Sequence, residues 1–589
     1  MPPPGGNALL AQATAAFRAG HLHEALRLLD ALVRAEPGNA DAWNLAGASC
    51  HRLREYAAAA RYFERSLAIR PRAGVGVNLG FALERLGRGD DALRAYVEAT
   101  RTEPTLAIAW QKLGALHEAR GEAAAALAAW RRAFALDRDD LRSLGDALSL
   151  RRDGADWDQA ETPTPSLLLE TFARVPRSDF PPGLLLALPE ADAAVQHVAA
   201  AKFARSQWEP LLAAPPLAAP ARAHDGPLRI GYLSADFRGH AVSFLTLEAL
   251  AAHDRDAVHV SLYAYGPPAG DDPWRQRAIA LADAFVDIDA LDDEAAARRI
   301  AADRVDVLVD LGGYTRHARA GILARRPAPV QAHWLGYVGT LGDARLAGYV
   351  IGDAVAIPPA VAAHMAERVA LLPRCFQANG SLQPLPPPPP RAALGLGEDA
   401  VVFCSFNQAH KLHPALWDDW CAILRAVPRA QLWLVVPKAA GGADRLRRET
   451  EARGVDPRRL VFAPMAPRDA HLARLQQADI ALDTWPYNSG TTASDALRCG
   501  VPLLAFAGDT FAGRMAASLL GAAGLRDCLR VDRADVVAEA VRLGNDDRAR
   551  AALRREVAAR IPASGLYEPA RIARELEDLY RWMFVQEAR

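Results

Sequence analysis

The residues with the plainest capacity for chemistry lie between Ala478 and Arg498, ADIALDTWPYNSGTTASDALR. Ile480, Ala481 and Leu482 read as a short buried strand, ended by Asp483 and Thr484. Pro486, Asn488, Ser489 and Gly490 have the composition of a tight loop. Thr491 to Arg498 then reads as the first turns of a helix. Thr491 and Thr492 put two hydroxyls at the helix start, where free N–H groups and the positive end of the dipole face outward. Such an end suits a phosphate. Asp495 follows Thr491 by four residues and shares its face, so its carboxylate is placed to accept ribose hydroxyls. The same pattern also fits a plain strand–loop–helix turn with a capping threonine, and both readings stand at this point.

Other polar residues gather where strands would end. LRIGYLSADF reads as an apolar strand followed by Arg238-Gly239-His240. A lone histidine there is more often a cap or a structural group than a chemical one. Asp310-Leu311-Gly312-Gly313-Tyr314 ends a further strand, and Trp334-Leu335-Gly336-Tyr337-Val338-Gly339-Thr340 is a glycine-rich loop suited to close backbone approach. Asn407-Gln408-Ala409-His410-Lys411 and Ala466-Pro467-Arg468-Asp469-Ala470-His471 also fall at strand ends. Lysine occurs only at Lys112, Lys202, Lys411 and Lys438; arginine supplies the other basic residues, as in a GC-rich bacterial genome. Asp287-Ile288-Asp289 can be read as a metal-binding pair, or more simply as a strand end and helix cap before Asp292-Asp293-Glu294. No His/Asp/Glu cluster has metal-ligand spacing. No GxGxxG follows a strand and no GxxxxGKS/T occurs, which disfavours nicotinamide, flavin and P-loop chemistry.

The elements that must position these residues alternate between strand and helix. From residue 226 to 383, Leu228–Ser234, Val258–Tyr265, Ala284–Ile288 and Val305–Leu311 read as strands with helices between them. Pro384 to Pro390 is nearly continuous proline and reads as a stiff linker. From 391 to 565 the alternation resumes with Val401–Phe406, Gln431–Val436, Leu460–Phe462, Ile480–Leu482 and Val501–Phe506, and residues 566–589 read as a final helix. Alternation argues for parallel sheets, whose ligands lie beyond the carboxyl ends of strands. Two Rossmann-like halves joined by a linker imply a cleft between them.

Before them, residues 1–140 repeat. Gly20, Arg54, Gly87 and Gly121 are spaced 34, 33 and 34 apart, and each is followed five residues later by Ala25, Ala59, Ala92 or Ala126. Pro37, Pro71 and Pro104 close three units; Gly47, Gly80 and Gly114 sit inside helices. This is the tetratricopeptide pattern of stacked helix pairs, whose curved face usually holds an extended peptide. Residues 141–225 are irregular and read as a helical connector.

At 589 residues the chain needs several domains. It is 51% apolar and 24% charged, with a net charge of −1, so no overall field draws it to nucleic acid or membrane. No apolar run is long enough to span a bilayer, and MPPPGGNALL lacks the regions of a signal peptide. The six cysteines are scattered, which suits reduced thiols in a cytoplasm.

In combination, GYLSADFRGH, GGYTRHARAGILARRPAPVQAHWLGYVGT, CSFNQAHKLHP, APRDAHLAR, LDTWPYNSGTTASDAL and AGDTFAGRMAASLL resemble the O-GlcNAc transferase and SPINDLY group of glycosyltransferases. The resemblance covers the repeats and both halves. It implies a glycosyltransferase B fold clasping a nucleotide-sugar, inversion at the sugar carbon without a required metal or other cofactor, and a repeat groove that feeds in acceptor proteins or peptides. By position it implies that Lys411 contacts the diphosphate with Gln408 beside it. His471 would stack on the base and Arg474 lie near its edge. Arg468 stands where animal enzymes have a lysine near the ribose, keeping the charge and changing the geometry. Thr491 and Thr492 would hold phosphate oxygens, Asp495 the ribose, and His240 would be the active-site histidine. Asn78 matches an asparagine that grips peptide backbone, whereas Leu45 and Lys112 take that place in neighbouring repeats. Gly490 and Phe244 each replace a histidine of the family pattern.

The chemistry implied is attack of a serine or threonine hydroxyl on the anomeric carbon as a nucleoside diphosphate leaves. Lys411 and the helix start would take up the growing charge. His240, a water chain or the departing phosphate could accept the proton. UDP-GlcNAc is the expected donor, with Asp495 and Arg474 favouring UDP. GDP-fucose or UDP-glucose is the alternative donor, and a non-catalytic repeat scaffold that only binds nucleotide is the alternative function.

Overall fold

The computed structural model describes residues 6–158, 162–221, 224, 226–267 and 270–588. The first five residues, part of the start read above for a leader, lie outside the described residues, as do 222, 223 and 225 at the end of the expected connector and the final residue 589. The chain divides into two compact units, Met1–Leu150 with Gln159–Thr171, and Arg151–Asp158 with Phe172–Arg589.

The first unit is built from the repeated small residues upward. Eight helices (Gly6–Arg18, Leu22–Ala35, Ala40–Arg52, Tyr56–Ile69, Ala73–Arg85, Gly89–Thr102, Ala107–Ala119 and Ala123–Leu136) form four successive pairs. A ninth, Leu141–Asp153, begins in this unit. Within a pair the helices meet where a side chain has no room. A Cβ on Gly47 would stand 2.6 Å from the Phe63 ring, on Gly80 2.4 Å from Tyr96, and on Gly114 2.5 Å from Trp130. Such overlap costs on the order of 1–3 kcal/mol. Ala25, Ala59, Ala92 and Ala126 are wholly buried at the equivalent contacts. The turn position needs a left-handed backbone: Gly87 has φ 72°, and Arg54 is held at φ 62° in the one repeat without glycine. Each proline falls two residues beyond a helix end, and the Trp43 and Trp110 indoles donate to Pro37 O (2.9 Å) and Pro104 O (3.0 Å).

The second unit holds two parallel sheets. The first contains β1 (Leu228–Ser234), β2 (Val258–Ala264), β3 (Ala284–Asp287), β4 (Val307–Asp310), β5 (Val330–Trp334), β6 (Tyr349–Asp353) and β7 (Arg368–Leu372), in the order β3-β2-β1-β4-β5-β6-β7. The second contains β8 (Val401–Ser405), β9 (Ala430–Val435), β10 (Leu460–Ala463), β11 (Ile480–Leu482), β12 (Leu503–Phe506) and β13 (Leu529–Arg530), in the order β10-β9-β8-β11-β12-β13. Every pairing is parallel; Ile230 lies between Val260 and Val307, and Cys404 between Trp433 and Ala481. Strand order reverses between β1 and β4 and between β8 and β11. Those reversals open the crevices where such sheets bind ligands.

Three strands of the first sheet, β5 to β7, were not among those read from the sequence. β5 carries Gln331 and His333 in a fully buried strand, which breaks the apolar run that marks such strands. Gln331 fits because its amide donates to Leu323 O (3.0 Å) and Leu346 O (2.6 Å).

The region read as one connector is shared out. Ala155 and Trp157 pack in the core of the second half, with Trp157 5.8 Å from Trp417. Leu186, Ala200, Phe203 and Leu212 belong to the core of the first half. The proline run is fastened to the second half, where the amides of Gln476 and Gln477 donate to Pro386 O (2.8 Å) and Pro389 O (2.7 Å). The last helix, Pro569–Glu587, returns to the first half. It buries Leu576, Tyr580 and Met583 there, with Tyr580 Oη 2.9 Å from Tyr232 Oη and Glu577 2.8 Å from His253.

Candidate functional site

Asp483 leaves β11 with its Oδ1 accepting from the N–H groups of Thr484 (2.8 Å) and Ser489 (2.7 Å). Thr484 Oγ1 donates to Tyr487 O (2.7 Å) and Asn488 Nδ2 to Thr484 O (2.8 Å), so the loop closes on itself. It delivers the chain into the helix Thr491–Arg498, whose start no side chain caps among the described residues. The sequence pattern therefore resolves as an open helix start and not as a threonine cap. Lys411 ends a short 3-10 turn after β8. Its Nζ donates to Asn488 O (2.7 Å) and stands 3.8 Å from the centre of the Tyr487 ring. Burial lowers the Lys411 pKa and raises that of Asp483, and each charge restrains the shift of the other. Asn407 donates to Ser489 Oγ (2.7 Å) and accepts from Thr492 Oγ1 (3.5 Å). One loop thus gathers Lys411, Thr491 and Thr492.

Beside this loop lies a cleft of about 430 Å³. Gly239, Ala241, Phe244 and Trp274 line it from the first half; Phe406, Met465, Arg468, His471, Arg474, Thr491 and Asp495 line it from the second. Arg468 grips the buried Asp495 with two prongs, 2.8 and 3.3 Å. Burial raises the Asp495 pKa, and the Arg468 charge opposes that rise. The Arg468 guanidinium lies 4.9 Å from the Phe244 ring, which packs 4.6 Å from Trp274. Two departures from the family pattern, Phe244 and Arg468, are therefore one contact, a cation over an aromatic face. Gly490, the third, has Met515 Cε 2.5 Å from where a Cβ would stand, so a side chain there requires Met515 to move.

His471 packs edge-on to Phe406 at 4.9 Å, and Arg474 Nη2 lies 3.3 Å from its Nδ1, making that nitrogen the acceptor. Burial, aided by the charges of Arg474 and Arg468, brings its pKa down to about 4, so the ring is neutral near pH 7. Arg474 also donates to Pro464 O (2.6 Å). Gln408 is exposed, with Oε1 3.5 Å from Lys438 Nζ.

His240 is the cap that the sequence allowed, placed beside the cleft. It caps the helix Ala241–Ala251, Nδ1 accepting from Val242 N–H (3.3 Å), and it stands between two cleft-lining residues, Gly239 and Ala241. Asp236 Oδ2 lies 3.4 Å from the same nitrogen. Burial lowers the His240 pKa; Asp236 opposes this, while Arg238 and Lys438 add to it. Lys438 was noted in the sequence only as a scarce lysine, yet its charge reaches both His240 and Gln408. Phe406, Trp274 and Met465 had no polar signal to mark them.

Asp310 folds its own turn, accepting from Gly312 N–H (3.2 Å) and Gly313 N–H (2.6 Å). Asp287 pairs with Arg275 (2.6 Å) and Asp289 accepts from Gly266 N–H (2.9 Å), while the helix cap is Asp292, not the Asp287–Asp289 pair. Among the described residues no group of three His, Cys, Asp or Glu side chains is arranged to hold a metal. Asn78 is exposed on the helix Ala73–Arg85 of the first unit, apart from these residues in the chain.

The model for glycosyl transferase family 41 matches residues 200–385 and 389–576, and a tetratricopeptide repeat model matches residues 10–73. The probable UDP-N-acetylglucosamine–peptide N-acetylglucosaminyltransferase SEC of Arabidopsis thaliana is 36% identical over 361 residues, covering 60% of this chain and 36% of its own length. The UDP-N-acetylglucosamine–peptide N-acetylglucosaminyltransferase of Caenorhabditis elegans is 29% identical over 471 residues, covering 61% and 41%. The chain thus spans about two fifths of the length of these curated relatives. A mutant O-GlcNAc transferase of Thermobaculum terrenum has a similar structure, with a TM-score of 0.62 at 28% identity, covering 99% of this chain and 98% of that one.

Proposed function

Because the chain belongs to glycosyl transferase family 41, we propose that it transfers a sugar, GlcNAc from UDP-GlcNAc, to serine or threonine hydroxyls of proteins. The observation that carries this is the set of groups gathered in one cleft and the loop beside it. His471, Arg474, the Arg468–Asp495 pair and Thr491 at the open helix start line the cleft, and Lys411 holds the adjoining loop at Asn488. That set offers partners for base, ribose and diphosphate. His471, neutral and edge-on to Phe406, offers a ring face for a base, with Arg474 beside its Nδ1. Asp495 accepts from ribose hydroxyls, and the Arg468 charge opposes the rise in its pKa that burial causes. Thr491, Thr492 and their helix start bind phosphate oxygens, with Gln408 alongside.

The acceptor hydroxyl attacks the anomeric carbon from the first-half side, the bond to the β-phosphate oxygen breaks, and UDP leaves with inversion. Lys411 and the helix dipole neutralise the charge that grows on the leaving oxygen, so the step needs no metal. The hydroxyl proton is assigned to the region of His240, whose lowered pKa leaves it uncharged and whose Nε2 accepts when the ring's own proton sits on Nδ1, toward Asp236. The repeat array, residues 1–140, presents the acceptor chain, with Asn78 on the binding face. Among the described residues no helix is long and apolar enough to cross a membrane, and all six cysteines are free and buried. A reducing cytoplasm suits them.

The test is thermal shift on the full chain. UDP should stabilise it with a chelator present, and GDP much less. Equal stabilisation by GDP would favour the fucosyl reading, and loss of the UDP effect in chelator would overturn the metal-free mechanism. Deleting residues 7–138 should spare UDP binding and strongly reduce glycosylation of proteins; undiminished glycosylation would give the array another role.

A further inference from the structure

One buried cation has no part in the cleft. Arg152, near the end of the helix Leu141–Asp153, is 3% exposed. Its hydrogen bonds run to main-chain carbonyls and not to a carboxylate. Nε and Nη2 donate to His410 O (3.1 and 2.7 Å), and Nη2 also to Ala187 O (2.9 Å) and Leu412 O (3.4 Å). A guanidinium is costly to withdraw from water unless its N–H groups are matched. Burial brings its pKa down to about 10, with Glu190 and Asp153 opposing the shift. A surface position would avoid that cost, so the placement asks for a reason.

Two of the three carbonyls belong to the residues on either side of Lys411. The same turn is held twice more. Asp153 lies 3.4 Å from the His410 ring, and His413 Nε2 donates to Trp485 O (2.8 Å). The Lys411 side chain reaches Asn488 O and the Tyr487 ring. The peptide groups that bracket it cannot rotate without leaving a buried guanidinium N–H unpaired.

We propose that Arg152 is a positioning residue for Lys411: by binding the carbonyls of His410 and Leu412 from the buried side, it fixes where the lysine ammonium stands against the Asn488 loop. This rests on the reading of Lys411 as the cation that receives the leaving diphosphate. Sequence gave no sign of it, because Arg152 is one of many arginines and lies 259 residues from Lys411.

The test is a double-mutant cycle on the full chain, with UDP-GlcNAc as donor. Arg152→Met should lower kcat on the order of a hundredfold, the scale of a small misplacement at a reacting centre, with little change in KM. Made on top of Lys411→Ala, the same substitution should cost less than about threefold. Arg152→Lys keeps the charge without the fork and should fall between wild type and Arg152→Met. Equal losses in the two backgrounds would overturn the proposal. Should Arg152→Met not fold, Arg152→Gln carries the same cycle.

A second measurement needs no turnover. With four lysines, the 13C-lysine NMR spectrum is simple, and Lys411 is identified by the signal lost in Lys411→Arg. In Arg152→Gln that signal should move toward the solvent lysines and titrate closer to an ordinary lysine. An unmoved signal overturns the proposal whatever the activity. A moved signal in a protein that transfers nothing overturns the functional reading alone and leaves the positioning role standing.

Discussion

The two halves of the second unit share a plan and differ in charge. Each is a parallel sheet whose strand order reverses next to its first strand, and each presents loops at that reversal. The first half offers the cleft a neutral edge of Phe244, Trp274 and a histidine whose pKa burial lowers. The second offers Lys411, Arg468, Arg474 and an open helix start. The same topology therefore supplies either an aromatic wall or an anion site, according to the loops it carries. The division suits the proposed transfer: the side assigned to a charged donor is cationic, and the side assigned to an uncharged hydroxyl is not.

The sharpest way to break the comparison is Lys411→Ala. If the second half holds the leaving group, kcat should fall on the order of a hundredfold or more, with a smaller change in KM. Lys411→Arg should restore only part, since a planar fork cannot occupy the same point. Turnover within a few-fold of wild type would remove Lys411 from the mechanism and favour a binding scaffold.

Next in size is an effect of acid on the second half. His413 is buried, donates to Trp485 O, and has its pKa lowered from near 6.5 to about 3 by burial, with Arg152 and Arg533 adding. The unfolded chain takes up this proton first, so the stability from a neutral His413 is complete above about pH 6.5. It is lost as pH falls from there toward 3. By pH 5 the loss should reach roughly 2 kcal/mol. Urea unfolding of wild type and His413→Gln between pH 7.5 and 5 checks this: the variant should show a flatter acid limb. Parallel limbs would mean that the ring is protonated in the fold.

The first half should respond in kinetics and not in donor binding. His240 Nδ1 faces both Val242 N–H and Asp236, and only with its proton on Nδ1, toward Asp236, can Nε2 accept another. Asp236→Asn should lower kcat on the order of tenfold, less than outright loss of a general base, with UDP affinity unchanged by calorimetry. Weakened UDP binding instead would show that the neutral edge belongs to the donor site. The smallest effect is expected at a contact that joins the halves across the cleft, Arg468 over Phe244. Arg468→Lys should weaken UDP binding by about threefold, because an ammonium cannot grip Asp495 with two prongs and lie flat on Phe244. An unchanged Kd would leave the Arg468–Phe244 stack without a role in the donor site.

What the sequence revealed and what it hid differ in kind. Repeats, β8 to β12 and the turn at Asp483–Thr491 were legible because local pattern decides them: small residues at fixed spacing, apolar runs, glycine and asparagine in loops. β5 was hidden because Gln331 and His333 are polar residues in a fully buried strand, where Gln331 is accommodated by carbonyls of the segments before and after it, at Leu323 and Leu346. The candidate residues could be named one by one, but their pairings could not. Asp495 with Arg468 spans 27 residues and Lys411 with Asn488 spans 77, and neither separation leaves a periodic trace. Phe244 stood out as a departure and Arg468 as another; only the fold showed that they touch.

The returning last helix has a mechanical consequence. Because Pro569–Glu587 is built into the core of the first half, the polypeptide links the halves at the proline run and again between Ala563 and Pro569, besides the connector that leaves the second half's core at Trp157 and enters the first half's at Leu186. A body attached at a single point can pivot in any direction; each further attachment removes a freedom. The proline crossing is moreover pinned by Gln476 and Gln477, so its bending is confined to the few residues before Pro386. Each of these links restrains how the two halves can part, like straps around a pair of boards, and cutting the chain near Ser564 would release one of them.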